Sequence, residues 1–346
     1  MNNNTENIQY DNKVAIGIVT YNARNYLPFC LNSIQEQTFK DYQILIIDNG
    51  SSDDTIAYLN EKFPHYKVVS HKENLGFSQA FNQIISWTKS EYVFCVNQDT
   101  VLAKDYIAKA VEFLDQHQDA GGVSGKLLRW IFQDDVKTKI IDSVGQQIFK
   151  NHKVTDKGAG EVDTGQYDKV EEVFGISGAL PIYRRNALDS VALKNKHGKY
   201  EYFDENYFSY KEDVDLAWRM RLVDWKLYCV PQALAYHDRS IASTDMQTDW
   251  QIATAHRKKN KLINFLSYRN HLLTIYKNEF RVNLWGTFFQ TLPYEIKKFM
   301  FMKLFNRINN KKFRNFRQLL PLMKHKRIQV QKMTKIRAKE ISKWYQ

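Results

Sequence analysis

No stretch of the 346 residues approaches the ~20 consecutive apolar residues that a spanning helix needs. The longest uncharged stretch near the tail, Val282 to Tyr294, is too short, and the start, Met1-Asn-Asn-Asn-Thr-Glu6, lacks the apolar segment of a signal peptide. Cysteine is scarce. Cys30, Cys95 and Cys229 are odd in number, have no metal-like spacing and lie inside apolar segments, so reduced core thiols and a cytoplasmic location are expected. There is no Gly-x-Gly-x-x-Gly after the first apolar run and no Gly-Lys-Ser/Thr loop, so neither a dinucleotide fold nor a P-loop has its usual phosphate cradle. No Ser-His or Cys-His constellation offers a side-chain nucleophile, and no repeat or low-complexity tract is present. Acidic residues nearly vanish after Arg257. From there to the C-terminus stand 23 Lys or Arg against 3 Asp or Glu, so this stretch carries +20 and the remainder −8 of a chain whose net charge is +12. That split marks a boundary and predicts an anionic partner for the tail.

What is present begins with alternation. The runs Val14 to Val19, Gln43 to Ile47, Tyr66 to Val69, Tyr92 to Val96 and Gly122 to Ser124 read as buried strands. Leu27 to Gln35, Asp54 to Lys62, Phe77 to Trp87 and Asp105 to Gln116 read as the helices between them. Strand and helix in turn imply an α/β fold, with a mostly parallel central sheet flanked by helices. Ligands of such sheets collect at the carboxyl ends of the strands. Those ends carry Thr20-Tyr21-Asn22, Asp48-Asn49-Gly-Ser-Ser-Asp53, Asn74-Leu-Gly76-Phe77 and Asn97-Gln-Asp99. Asn, Gly, Ser and Asp are also what turns are made of, but their convergence after successive strands favours a nucleotide pocket.

Two acidic clusters point to metal-assisted group transfer. Asp99 ends a buried run, where a carboxylate can hold a divalent cation against a diphosphate. Glu212-Asp213-Val-Asp215 opens a helix whose apolar stripe is Val214, Ala217, Trp218 and Leu222, so Asp213 stands where a carboxylate can take a proton. Acidic residues also favour a helix's first turn through its dipole, and that reading stays open from the residues alone.

The set Val19-Thr-Tyr-Asn22, Ile47 to Asp53, Glu73 to Phe77 and Asn97-Gln-Asp99 resembles the family 2 glycosyltransferases with the GT-A fold. Phe174-Gly-Ile-Ser-Gly178-Ala with Tyr183-Arg-Arg185, Tyr207 to Arg219, Tyr228 to Pro231, Tyr236-His237 and Tyr268-Arg-Asn270 resemble its rhamnosyltransferase-like branch, which builds bacterial surface polysaccharides. The resemblance implies an inverting transferase that uses Mg or Mn. In it Thr20 and Asp48 bind base and ribose, Asp99 binds the metal and Asp213 is the general base. Tyr21, Asn22, Asn49, Asn74, Gly76, Phe77, Asn82 and Asn97 complete the expected donor side. Asn97 stands where an aspartate is commoner, so a second metal ligand would help. His237 is the candidate, since imidazole suits Mn, and the alternative is a histidine capping the strand end near Tyr228 to Val230. Gly178, Glu212 and Trp218 are expected on the acceptor side. The donor implied is a nucleotide-diphosphate-sugar, dTDP-rhamnose first and UDP-sugars next. The implied acceptor is a glycan or lipid-linked glycan.

The expected organisation is a flexible N-terminus over 1–12, a catalytic domain over 13–256 and a basic amphipathic helical region over 257–346. The catalytic domain divides into a nucleotide-sugar half (13–130) and an acceptor half (131–256). Between Ile131 and Val170 the chain turns polar and weakly periodic, as in an irregular excursion or lid. Phe280 to Phe305 mixes aromatics with lysines, as helices on an anionic membrane surface do, with Pro293 expected to break it in two. This places the protein peripherally on the cytoplasmic face of the inner membrane, the plainer alternative being packing on the catalytic domain. A nucleic-acid-binding protein using the basic tail and a catalytically degenerate scaffold are the competing functional readings. Nucleic acid is not the expected partner, because the −8 remainder would repel a polyanion.

Overall fold

The computed structural model describes residues 12–239, 261–305 and 310–346. The expected flexible N-terminus and the boundary at 256/257 fall essentially outside them. The first half follows the alternation read from the sequence: β1 (Val14–Thr20), α1 (Leu27–Gln35), β2 (Tyr42–Asp48), α2 (Thr55–Lys62), β3 (Lys67–Ser70), α3 (Phe77–Trp87), β4 (Tyr92–Asn97), β5 (Thr100–Leu102) and α4 (Tyr106–Gln116). Then come β6 (Ala120–Ile131), β7 (Val136–Ser143), β8 (Gln146–Ile148), β9 (Val154–Asp156), β10 (Glu171–Glu172), β11 (Ile182–Arg184), α5 (Arg185–Ser190), β12 (Leu193–Lys194), β13 (Tyr200–Glu201), α6 (Glu212–Leu222) and β14 (Lys226–His237). The tail forms α7 (Lys261–Asn278), α8 (Arg281–Gly286), α9 (Phe288–Phe305), α10 (Asn310–Met333) and α11 (Ala338–Ser342).

The main sheet runs β10-β14-β6-β11-β4-β1-β2-β3, with β5 on β14 and β7 on β6. β4, β1, β2 and β3 are parallel neighbours, β14 is parallel to β6, and β11 is antiparallel between the two halves. Side chains alternate between its two faces. Ile44, Ile46, Tyr92, Phe94 and Val96 enter one core, while Leu45, Ile47, Val93 and Cys95 enter the other. Both faces being buried explains why these strands read as continuous apolar runs. In register, Thr20 lies beside Asp48, Asp48 beside Ser70 and Val19 beside Asn97, so the polar ends line up on one edge.

Two expectations need correction. The segment after Ile131 is irregular only from Lys157 to Val170: before that, β7 extends the sheet from β6, and β8 and β9 pair as a small sheet of their own. The first residues of β7 are exposed, so no period-2 apolar pattern marks it. Pro293 does not break its helix. It lies inside α9, where its missing N–H forfeits one bond near the helix start, and the interruption falls at Thr287 instead. Gly125 in β6 is where β14 bulges towards it: a Cβ there would sit 1.7 Å from the Ala233 carbonyl oxygen.

Candidate active site

A cavity of about 470 Å³ opens at the carboxyl edge of β4, between the ends of β5 and β14 and the start of α6. The antiparallel pairing of β5 with β14 sets Thr100 beside His237, which brings Asp99 and His237 together across the sequence. His237 Nε2 lies 3.5 Å from Asp99 Oδ1. Its Nδ1 is 2.9 Å from Asp142 Oδ2, a buried carboxylate at the end of β7. Burial opposes charge on His237, but Asp99 and Asp142 outweigh it and push the imidazole up to about 10. Arg239 closes this network, with Nε 2.8 Å from Asp142 Oδ1 and Nη2 2.7 Å from Asp156 Oδ2.

Asp213 lines the same cavity. Its Oδ2 accepts from Gln146 Nε2 (2.7 Å) and Gly178 N (3.3 Å), and its Oδ1 from Val214 N (2.8 Å). Burial raises its pKa, while the nearby Lys211 ammonium and these donors pull the other way. A carboxylate held in place and made more basic than usual is suited to accept a proton. Glu212, also at the cavity, is pushed up to about 8 by burial and then by Asp213, so it is largely protonated at neutral pH. The approach to α6 is strained. Phe208, Tyr210 and Lys211 all have positive φ (67°, 72° and 71°). Asn270 Nδ2 holds that turn from α7, donating to the carbonyls of Tyr207, Ser209 and Tyr210 at 3.0, 2.9 and 2.7 Å.

Of the residues expected at the site, Phe77, Asn97, Asp99, Gly178, Glu212, Asp213 and His237 line the cavity. Thr20, Asp48 and Asn22 lie further along the edge. Thr20 Oγ1 donates to Asp48 Oδ1 (3.0 Å), Ser51 N donates to Asp48 Oδ2 (3.0 Å), and Asn22 Oδ1 accepts from Ser52 N (2.9 Å). Tyr21 beside them is exposed. Asn49 and Asn74 brace the Gly76 turn, through Asn49 Nδ2 to Gly76 O (3.1 Å) and Gly76 N to Asn74 Oδ1 (2.8 Å). Gly76 itself has φ 84°, and a Cβ would meet Phe208 O at 2.5 Å. Two expectations are corrected. Asn82 uses its amide to bind the 202–205 segment, accepting from Tyr202 N and Phe203 N and donating to Phe203 O and Glu205, which leaves nothing for a donor. Trp218 is buried against Phe174 and His152, on the core side of α6 and away from the cavity.

Sequence reasoning missed Gln146, Asp142, Asp156, Arg239 and the α7 wall of Ile263, Asn264 and Ser267. Asp142 and Gln146 belong to Asp142-Ser-Val-Gly-Gln146, a polar cluster at the end of a strand that lacked its apolar signature. Asp99 and His237 form a set of donors suited to a divalent cation. Asp99 supplies a carboxylate oxygen. His237 supplies a nitrogen aimed at the same point, its other nitrogen oriented by Asp142 as ligating histidines usually are. These two residues fit Mg or Mn as protein ligands once the imidazole gives up its proton, leaving further positions for phosphate and water oxygens. Among the described residues no third His, Cys, Asp or Glu joins them.

Comparison with known proteins gives the family and the fold. Residues 15–190, just over half the chain, match the family described as "Glycosyl transferase family 2". The chain belongs to this family. The family 2 chain is 26% identical over 221 residues to poly-beta-1,6-N-acetyl-D-glucosamine synthase of Staphylococcus epidermidis, covering 63% of this chain and 48% of that one. It is 29% identical over 152 residues to glycosyltransferase GlyA of Streptococcus pneumoniae serotype 4, covering 41% and 22%. It therefore spans about half the length of the synthase, or less for GlyA. The crystal structure of GalNAc-T7 with UDP, GalNAc and Mn2+ superimposes with a TM-score of 0.63 at 12% identity, covering 96% of this chain and 56% of that one. The family 2 chain has a GT-A fold.

Proposed function

We propose that this family 2 protein transfers a sugar from a nucleotide-diphosphate-sugar to a hydroxyl of a glycan or lipid-linked glycan, with inversion at the anomeric carbon. The observation behind this reading is that Asp99, His237 and Asp213 line one cavity, with Asp99 and His237 3.5 Å apart and suited to a cation and Asp213 held by donors as a base would be. A divalent cation bound by that pair would neutralise diphosphate charge on the leaving group. The chain's own residues do the rest. The acceptor oxygen bonds to the anomeric carbon as the bond from that carbon to the phosphate oxygen breaks. The acceptor proton passes to Asp213, and the nucleoside diphosphate departs. Gln146 and the Gly178 amide keep the Asp213 carboxylate oriented through this step. A single displacement needs no side-chain nucleophile, in keeping with the sequence. dTDP-rhamnose is the donor this reading puts first. A UDP-sugar stands next, and a role in polysaccharide synthesis accords with the name of the staphylococcal relative.

A calorimetric screen of UDP, dTDP, GDP and CMP, with and without Mn or Mg, tests the reading. One nucleotide should bind in a metal-dependent way, Asp99→Ala should lose that binding, and Asp213→Asn should keep it while transfer drops by about 10²- to 10⁴-fold. No nucleotide binding under any condition would point to a degenerate scaffold. Full activity in Asp213→Asn would remove the base assignment.

A further inference from the structure

Helix α9 is amphipathic in the wrong sense for water. Val282, Trp285, Phe289, Leu292, Ile296, Met300 and Leu304 recur every three or four residues, which sets them on one face. The α8–α9 junction keeps the stripe continuous, since Thr287 N donates to Asn283 O and Thr291 N to Thr287 O, both at 2.9 Å. These seven side chains are 43–85% exposed, with Trp285 at 76% and Phe289 at 85%. The opposite face turns ionisable groups inward. Glu295 Oε1 is 2.7 Å from His271 Nε2, the Lys298 ammonium lies over the Tyr268 ring, and Met302 packs with Phe265, Leu266 and Tyr268 of α7. Scattered exposed hydrophobics are ordinary on a protein surface, but a continuous stripe of this length marks an interaction face.

The sequence that carries the stripe and follows it is strongly basic. From Arg281 to Lys339 the sequence has 16 Lys or Arg, of which Lys298 and Lys326 turn inward, and its one carboxylate, Glu295, also faces inward. Arg281, Lys303, Arg314, Arg317 and Lys324 are exposed. A second copy seated on this face in two-fold symmetry would bring cations against cations. A polynucleotide would satisfy the cations but leave the aliphatic side chains in water. A bilayer with anionic headgroups meets both, taking the stripe into its interfacial zone and the basic residues at its surface. No helix among the described residues is long and apolar enough to cross a membrane, so the contact lies in the plane of the surface.

We propose that the outer face of α8 and α9 docks this protein on an anionic lipid bilayer. Helix α7 connects that face with the chemistry, because Ile263, Asn264 and Ser267 line the cavity while their neighbours Phe265, Leu266 and Tyr268 pack with Met302 of α9. That this presents a lipid-linked acceptor rests on the proposed function; the docking itself does not.

The test is co-sedimentation of the full chain with vesicles of phosphatidylcholine alone or mixed with phosphatidylglycerol, repeated in rising salt. The chain should pellet with the anionic vesicles, at least about tenfold less with neutral ones, and more weakly at high salt. Trp285→Ser with Phe289→Ser should lower vesicle affinity at least about tenfold while nucleotide binding and the melting temperature stay unchanged. Failure of the parent chain to bind, or unimpaired binding by the double variant, would overturn the proposal. So would self-association abolished by the same substitutions, or retention of RNA without retention of vesicles. Vesicle binding without nucleotide binding would uphold docking and defeat the transferase reading, and the reverse would do the opposite.

Discussion

Gln146 shows how one residue outside any recognised motif sets the behaviour of another. Burial makes the Asp213 carboxyl harder to ionise, and the Gln146 amide is one of the donors that restrain this rise. In Gln146→Leu the Asp213 carboxylate loses a donor, so its pKa rises further. With Asp213 as the proposed base, the acid limb of the kcat/KM profile should move to higher pH, and kcat should fall by about 10- to 100-fold as that carboxylate loses its fixed orientation. KM for the donor should hold, because Gln146 faces Asp213 and not the Asp99 side. A pH series of initial rates decides this, and an unmoved acid limb would assign Gln146 to packing alone.

At the scale of elements, α6 presents Asp213 only because α7 holds the turn before it. Three non-glycine residues at positive φ, Phe208, Tyr210 and Lys211, cost of order 1–3 kcal/mol each. The clamp from Asn270 is joined by Arg269, whose Nη2 donates to the carbonyls of Asn206 (2.9 Å) and Tyr207 (3.1 Å). Asn270→Ala leaves three carbonyls without that donor and should cost about 1–3 kcal/mol in urea unfolding. Transfer should fall further than this implies, because the relaxed turn no longer aims Asp213. Unchanged kcat would mean that the turn holds its shape alone. The motif Tyr268-Arg-Asn270 was visible in the sequence, but its task was not, since a clamp on backbone carbonyls leaves no signature in the turn it holds. The same contrast runs through the fold. α1 and α3 were legible to the residue because their apolar stripes start and stop cleanly. β7 to β9 were not, because edge and short strands carry polar residues. The meeting of Asp99 with His237 depends on β5 running antiparallel to β14, a pairing that three residues of β5 could not announce.

For the whole molecule, the charge split that looks like a boundary is in part a complementary interior contact. Lys277 of α7 and Lys326 of α10 are both buried, with Nζ 2.5 Å and 2.6 Å from the two oxygens of Asp204, between β13 and α6. Lys277 also reaches Asp215 (2.8 Å), and Lys326 contacts Glu201. At the far end of the chain, Tyr345 meets Glu279, which pairs with His152 at 2.8 Å. Two of the tail's cations therefore lie inside the molecule, while Arg281 and Lys303, on α8 and α9, remain at the surface. Removing one buried cation strands its partners. Lys326→Met leaves Glu201 without its ammonium and Asp204 with only one, and should lower the unfolding free energy by about 3–5 kcal/mol. Adding Glu201→Leu should recover part of this loss, since an apolar pair has no charge to strand. The pH dependence follows from Asp204. Burial disfavours its charged form, but the two ammonium groups hold its carboxyl well below the usual range. A depressed folded-state pKa contributes stability that is complete above the unfolded carboxylate value of about 3.9 and is lost as pH falls towards the folded one. The gap between the parent chain and Lys326→Met should therefore be widest near neutrality and close in acid. Denaturant melts from neutral pH down to about pH 2 would show the gap narrowing below about pH 4, and a gap that stays constant would mean that Lys326 contributes by packing rather than by charge.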